Sequence, residues 1–302
     1  MSDTASVGTA ISRQERSLGA AKPRKNLVLR RFLENRLAVV GLLVIVLFYG
    51  VAFTAPAISR YDYKAIKGGM RNKPPSAQHW LGTDRSGRDV YARLVTGTRV
   101  SLSVGFVAVV IIMTVGTVLG AAAGFFGGWV DALLMRFTDI LLSVPQILLL
   151  ISAAALFKAS LQTTVIVIGL TSWPGAARIV RGQFLALKNQ EFVTAARAIG
   201  ATPAQIMRRH LFPNALAIII VEATLWLSFA ILLEASLSYL GLGVQIPTPS
   251  WGNMLQDGQR DLLVGAWWMT VFPGLSIFIT VLAFNLMGDG LRDALDPRLR
   301  RR

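Results

Sequence analysis

Glu191-Phe192-Val193-Thr194-Ala195-Ala196-Arg197-Ala198-Ile199-Gly200-Ala201-Thr202-Pro203-Ala204-Gln205-Ile206-Met207-Arg208-Arg209-His210-Leu211-Phe212-Pro213-Asn214 is a polar stretch of helical pattern between two long apolar runs. It reads as two short helices joined at a corner. Asn189 is the predicted cap of the first, and Glu191 then lies in its first turn, where a negative charge meets the positive end of the dipole. Phe192, Ala195, Ala196 and Ile199 fall at i, i+3, i+4 and i+7 and make one apolar face. Gly200 follows, the residue type best able to take the left-handed conformation that ends a helix. Thr202, Pro203 and Gln205 then supply an N-cap, a proline at the first helical position and a T-x-x-Q capping box. Arg208, Arg209 and His210 sit at the C-terminal end, where cations suit the dipole. Pro213 biases Phe212 away from helix.

Spacing alone reads equally well as an ordinary amphipathic connector resting on lipid headgroups. The flanks define the setting. Of 302 residues 53% are hydrophobic and 16% charged, and mean hydropathy is +0.54, too apolar for a soluble domain. The formal net charge of +15 lies mostly in tails and connectors, so membrane topology explains it better than nucleic acid does. Cysteine is absent, which excludes disulfides and thiolate metal sites, and His79 and His210 lie too far apart for metal-ligand spacing.

Working outward, six membrane spans are predicted, at about 37–58, 100–126, 132–157, 161–177, 215–240 and 262–288. The Trp173-Pro174 pair predicts a kink in the fourth. Residues 1–36 read as a cytoplasmic tail, its first half disordered by composition, whose Arg30, Arg31 and Arg36 abut an uncleaved first span. Residues 59–99 form an external segment. Residues 100–289 hold five helices, with the polar corner at 189–213, and residues 290–302 form a second cytoplasmic tail. Arginines in both tails and in 178–209 place those regions in the cytoplasm. The 59–99 segment disagrees, since Arg60, Lys64, Lys67, Arg71, Lys73, Arg85, Arg88, Arg93 and Arg99 lie in it. Within it, Arg88, Asp89 and Arg93 are expected to pair and fix an interfacial helix. Arg136 and Asp139, one turn apart, are expected to neutralise each other.

Two carboxylates interrupt the fifth span. Glu222 and Glu234 must face protein or a water-filled cavity. A translocation pathway lined with acid and a structural partnership with a neighbouring helix are equally good readings. Asn285 and Asp289 read as structural, capping or pairing with Arg292. The chain holds no G-x-x-x-x-G-K-[ST] phosphate loop, no nucleophile elbow and no H-E-x-x-H helix.

The corner resembles the "EAA" loop of bacterial binding-protein-dependent ABC importers: E-A-A, three residues, Gly, nine residues, then a hydrophobic pair and Pro. Ala195, Ala196, Gly200 and Pro213 stand at the matching places; Thr194 stands where the motif has Glu, with Glu191 three positions earlier, and His210 takes the motif's Ile position. The stretch His79-Trp80-Leu81-Gly82-Thr83-Asp84-Arg85-Ser86-Gly87-Arg88-Asp89 is similar to the H-x-L-G-T-D-x-x-G-R-D segment of the dipeptide and oligopeptide branch, "C"-type subunit. The resemblance covers about 35–298 and implies an all-α membrane permease of the type I importer fold. It implies a homologous second permease, two ATP-binding subunits that carry ATP and Mg, an extracytoplasmic substrate-binding protein and no cofactor on this chain. It also implies a bacterial inner-membrane protein with both termini cytoplasmic. On that basis Phe192, Ala195, Ala196 and Ile199 pack the first short helix, and Gly200 sets the corner. Ala201 to Met207, including Pro203 and Ile206, enters the ATPase cleft, and Arg208 and Arg209 meet acidic protein or lipid groups. The alternatives are an ion-coupled secondary transporter using Glu222 or Glu234, and a membrane scaffold without transport.

Overall fold

The structure, a computed structural model, describes residues 24–295. The expected disorder of the N-terminal tail and the last arginines of the C-terminal tail fall outside the described residues. Helix α1, Arg24–Glu34, precedes α2, Arg36–Ile58, the first apolar span. Asn35 separates them and caps α2 by accepting from Ala38 N at 3.2 Å. Residues 59–89 are irregular. Helix α3, Val90–Phe126, follows, N-capped by Asp89, which accepts from Ala92 N at 2.8 Å. It starts at Val90, not at Val100, because that cap and buried ion pairs hold its polar first turns. Its 37 residues give about 55 Å of helix, well beyond a hydrocarbon core of about 30 Å.

The predicted third span is broken. Helices α4, Gly128–Ser143, and α5, Gln146–Ala155, meet at 86°. Pro145 lies at the break: it has no N–H to give a helix, and Val144 before it is extended at φ −91°, ψ 130°. Helix α6, Leu161–Lys188, runs through Pro174 and continues well past the expected end at Ala177. Arg178 and Arg181 do not stop it, because carboxylates of α4 receive them: Arg178 Nη2 donates to Asp139 Oδ1 at 2.6 Å, and Arg181 Nη2 to Asp131 Oδ2 at 2.6 Å. Asp139 therefore pairs across helices rather than with Arg136.

Helices α7, Glu191–Ala198, and α8, Pro203–Ile206, form the corner. A π-helical turn at Met207–Leu211 leads into α9, Phe212–Tyr239. Pro213 does not break the chain's course here. The wider turn absorbs its missing donor, and Phe212 N–H reaches back to Met207 O. Helix α10, Trp251–Asp261, is short and amphipathic, and α11, Trp268–Leu295, is the last span.

Packing fixes the direction of each crossing. Gly116, Gly120 and Gly124 make a small-residue stripe on α3, against which Ala176, Ala177 and Phe184 of α6 close in register. A Cβ at Gly116 would lie 2.7 Å from that of Ala176, and one at Gly124 would lie 2.7 Å from that of Phe184, so the two backbones touch only because side chains are absent. The helices are thus parallel, and α3 ends beside the corner. Leu161, at the start of α6, shares a cavity with Arg60 and Thr96 at the other end. The bent pair α4–α5 must therefore carry the chain back across, which makes six crossings among the described residues, from five long helices and one bent pair. Gly290 of α11 abuts Ala38 of α2, so both ends of the described chain lie at the corner's end.

Candidate functional site

The corner is an elbow assembled from local signals. Gly200 has φ +83°; its N–H donates to Arg197 O at 3.0 Å, and Ala201 N–H donates to Ala196 O at 3.0 Å. That pair of bonds is a Schellman C-cap. The capping box also forms: Thr202 N donates to Gln205 Oε1 at 2.9 Å and Gln205 N to Thr202 Oγ1 at 3.3 Å. Asn189, however, does not cap α7. It ends α6, its Nδ2 donating to Leu185 O at 3.2 Å, and Gln190 holds the cap position without a side-chain bond.

The elbow is two-faced, and the predicted apolar face is split: Ala196 turns inward, while Phe192, Ala195 and Ile199 lie on the outer side. Val193, Ala196, Ile206 and Leu211 are buried in the main core of the bundle. Phe192 is 39% exposed and Ile199 is 86% exposed. Glu191, Thr194, Ala195, Arg197, Gly200, Pro203, Arg208, Arg209 and Pro213 are exposed, and Ala201 is half-buried. Of the predicted elbow residues, Ala196 and Ile206 are buried in the core, and Ala201 and Met207 pack against it. Val193 escapes the sequence reading, because a two-faced helix carries two apolar stripes and spacing does not tell which meets the chain's own core.

The opposite end is built differently. Asp84 lies at the centre of a buried cluster: Arg88 Nε donates to its Oδ2 at 2.6 Å, and Arg93 Nη1 binds the same oxygen. Arg93 Nη2 also donates to Asp257 Oδ2 of α10 at 3.1 Å. The arginines pair on Asp84 rather than on Asp89, which instead meets His79 Nδ1 at 2.6 Å. Trp268 Nε1 of α11 donates to Thr83 O at 3.2 Å. Residues 59–89 thus form a cap riveted to α3, α10 and α11. Basic residues are accommodated there on aromatic rings: Arg60 lies 4.6 Å from the Trp80 ring centre and Lys67 4.1 Å from that of Tyr61.

The two membrane carboxylates have different surroundings. Glu234 is fully buried and lines neither the cavity beside Arg60 and Leu161 nor the one beside Gln183 and Arg292. It accepts from Ser101 Oγ at 2.8 Å and Ser238 Oγ at 2.7 Å. Those hydroxyls accept in turn from Trp251 N, at the start of α10, and from Val244 N, each at 3.2 Å. Glu234 therefore fastens α3, α9 and the 240–250 loop together. Glu222 is half-buried and lines a cavity of about 580 Å³ with Gln183, Asn214 and Arg292. Arg292 faces this cavity, while Asn285 bonds its own helix at Val281 O, 2.8 Å. Among the described residues no group of three or more His, Asp or Glu side chains has metal-ligand placement.

Six crossings among the described residues, an enclosed polar fastener and an exposed elbow held to the core describe a multi-pass membrane protein. The family model described as binding-protein-dependent transport system inner membrane component matches residues 116–301, and that of the N-terminal TM domain of oligopeptide transport permease C matches residues 26–75. The chain is 46% identical to the dipeptide transport system permease protein DppC of Alkalihalophilus pseudofirmus, over 88% of each chain. It is 46% identical to the oligopeptide transport system permease protein OppC of Bacillus subtilis, over 90% of this chain and 88% of that one. It is 42% identical to the glutathione transport system permease protein GsiD of Pectobacterium atrosepticum, over 90% of each. Its fold is similar to that in the inward-facing MetNI methionine ABC transporter, with a TM-score of 0.56 and 23% identity over 67% of this chain and 96% of that one. The chain belongs to the family of binding-protein-dependent transport system inner membrane components.

Proposed function

We propose that this chain is one of two homologous permeases in an ATP-driven importer of short peptides across the bacterial inner membrane. The observation that carries this reading is the elbow. Its inner residues are rooted in the bundle's core while Ile199 and its neighbours stand bare in the isolated chain. A rigid, exposed corner on a membrane bundle suits a separate driving subunit. In this reading each permease's elbow docks on one of two ATPases, which hold ATP and Mg, and an extracytoplasmic binding protein delivers the cargo. Closure of the ATPases on ATP draws the elbows together and switches the bundle between inward- and outward-facing states; hydrolysis resets it. Both ends of the described chain lie beside the elbow, and the arginines around it favour a cytoplasmic position for that end. Arg208 and Arg209 are the cations available to acidic groups of the ATPase or of lipid. Peptide cargo is the reading favoured by relatives whose names carry dipeptide and oligopeptide transport.

Ion-coupled transport draws no support from Glu234, whose oxygens are occupied by serines. The test is Gly200→Val in the assembled transporter. ATP-dependent uptake is expected to be lost while the chain remains in the membrane. Full uptake by that variant, or a lone chain transporting without ATPases, would overturn the reading.

A further inference from the structure

The cavity beside the elbow has opposite charges set apart on its walls. Glu222 projects from α9 and Arg292 from the last turns of α11. Both line the same space of about 580 Å³, yet their charged atoms do not approach within 4.0 Å and no ion pair closes the gap. Among the described residues, neither Glu222 nor Gln183 has a side-chain hydrogen-bond partner. Asn214 Nδ2 donates to His210 O at 2.6 Å, which leaves its amide oxygen free. The remaining walls are apolar, among them Ile179, Val221 and Leu225.

The separation is built into the helices. Gly288, one turn before Arg292, lies against α9, where a Cβ would meet Thr224 Oγ1 at 2.7 Å and Leu225 at 3.0 Å. The two helices therefore sit at a fixed close spacing just where the charges flank the cavity. From Ala215, where the apolar run begins, to Glu222 the helix rises about 10 Å. The carboxylate is thus the deeper group, and Arg292 stands nearer the mouth. A carboxylate at that depth requires water or a cationic partner.

We propose that this cavity is a release-side subsite for a free short peptide in its zwitterionic form. The peptide's ammonium group meets Glu222, its terminal carboxylate meets Arg292, and the Gln183 amide bonds a backbone group between them. The volume lies within the range of about 300–1,000 Å³ common to small-molecule sites. A soluble zwitterion fits better than a lipid, because an ethanolamine headgroup would have to bring its ammonium about 10 Å below the start of the apolar run. The assignment rests on the peptide-importer reading above and adds to it a defined place for the cargo's two termini.

The test pairs ligand caps with side-chain changes, using the complete transporter in nanodiscs without its binding protein. The probes are Ala-Ala, N-acetyl-Ala-Ala and Ala-Ala amide, with binding followed by calorimetry. Capping either charged terminus is expected to weaken binding about tenfold. The wild type should therefore bind Ala-Ala about tenfold tighter than either capped form, a measurement that needs no variant to fold. Glu222→Gln should weaken Ala-Ala and leave N-acetyl-Ala-Ala unchanged. Arg292→Gln should weaken Ala-Ala and leave the amide unchanged. Equal binding of all three probes by the wild type overturns the subsite. So does equal weakening of all three by both variants, or loss of copurifying phosphatidylethanolamine alone with Ala-Ala binding intact. Peptide uptake by the wild-type system separates the two levels: uptake with a failed cycle removes only the subsite, and absence of uptake of any peptide removes the importer reading with it.

Discussion

The elbow and the cap are two polar structures that hold together in opposite ways. The elbow's shape comes from bonds between residues three to five apart: Gly200 to Arg197, Ala201 to Ala196, Thr202 with Gln205. Its outer face is left unpaired. The cap's shape comes from bonds between distant parts of the chain, as in Arg93 to Asp257 and Trp268 to Thr83. Its buried charges are nearly all matched within the chain. A region that satisfies itself has nothing left for a partner, whereas one that shapes itself locally and stays bare has a whole face to offer. Charge count alone does not separate the two, since both are rich in arginine.

The largest effect that would break this contrast belongs to the cap. Arg93 is fully buried and serves two carboxylates. In Arg93→Met, Asp84 and Asp257 are left sharing Arg88, whose Nη2 lies 3.8 Å from Asp257. Breaking such a buried pair costs about 3–5 kcal/mol, and the remaining arginine puts the expected loss near the lower end. Little monodisperse protein should survive detergent extraction and mild heating. If Arg93→Met melts with the wild type, the cap is an accessory rather than a rivet.

Next comes the hinge of the elbow. Gly200 has open space where a Cβ would go, so its constraint is conformational and not steric crowding by neighbours. At φ +83° a β-branched residue is strained by about 1–3 kcal/mol, a cost large enough to redirect the corner without unfolding the bundle. Gly200→Val should remove ATP-dependent uptake. Gly200→Asn should retain most of it, because asparagine tolerates the left-handed region. Equal uptake by the two variants would show that the backbone angle is not what matters there.

The two faces of α7 sharpen the contrast further. Val193 is buried, so Val193→Ala should destabilise by about 1.5–2 kcal/mol, seen as a lower melting temperature. Ile199→Ala should shift stability by no more than about 0.5 kcal/mol, yet reduce coupled ATP hydrolysis in the assembled complex. A reversed outcome, with Ile199 governing melting and Val193 governing coupling, would invert the elbow.

These differences follow the line between local and distant information. The glycine stop, the capping box and the apolar runs are readable because their physics lies within a few residues. Val193 against Ile199 is not readable, since both stripes have helical spacing and only the assembled core chooses one. Pro145 is only half a signal: it lacks a helical donor, but α6 runs straight through Pro174, so proline alone does not announce which run will break. The Gly116, Gly120 and Gly124 spacing likewise announces a close helix contact, although not that α6 is the partner. Arg178 and Arg181 look like the end of a span until Asp139 and Asp131 are brought beside them. Glu234 shows the same limit in reverse, an intramembrane acid whose surroundings turn out to be serines from α3 and α9.

The smallest expected effect is again in the cap, where one carboxylate is not fully matched. Asp261 closes α10, is buried, and has no hydrogen-bond partner at Oδ2. Burial raises its pKa above the ordinary carboxylate value; the charge of Arg85 and a hydrogen bond from Asn72 oppose this, and the carboxylates of Asp257 and Asp84 add to it. The native state then binds the proton more tightly than the unfolded chain does. The stability linked to this group is present in full below the unfolded-state pKa and is lost as pH rises through the folded-state value. Wherever it is ionised, the side chain is therefore a net burden on the cap. Asp261→Asn should raise the melting temperature slightly at neutral pH and flatten its fall between acid and neutral conditions. If the variant instead melts lower at neutral pH, Asp261 is a needed partner of Arg85, and the cap's charges are matched more completely than its hydrogen bonds indicate.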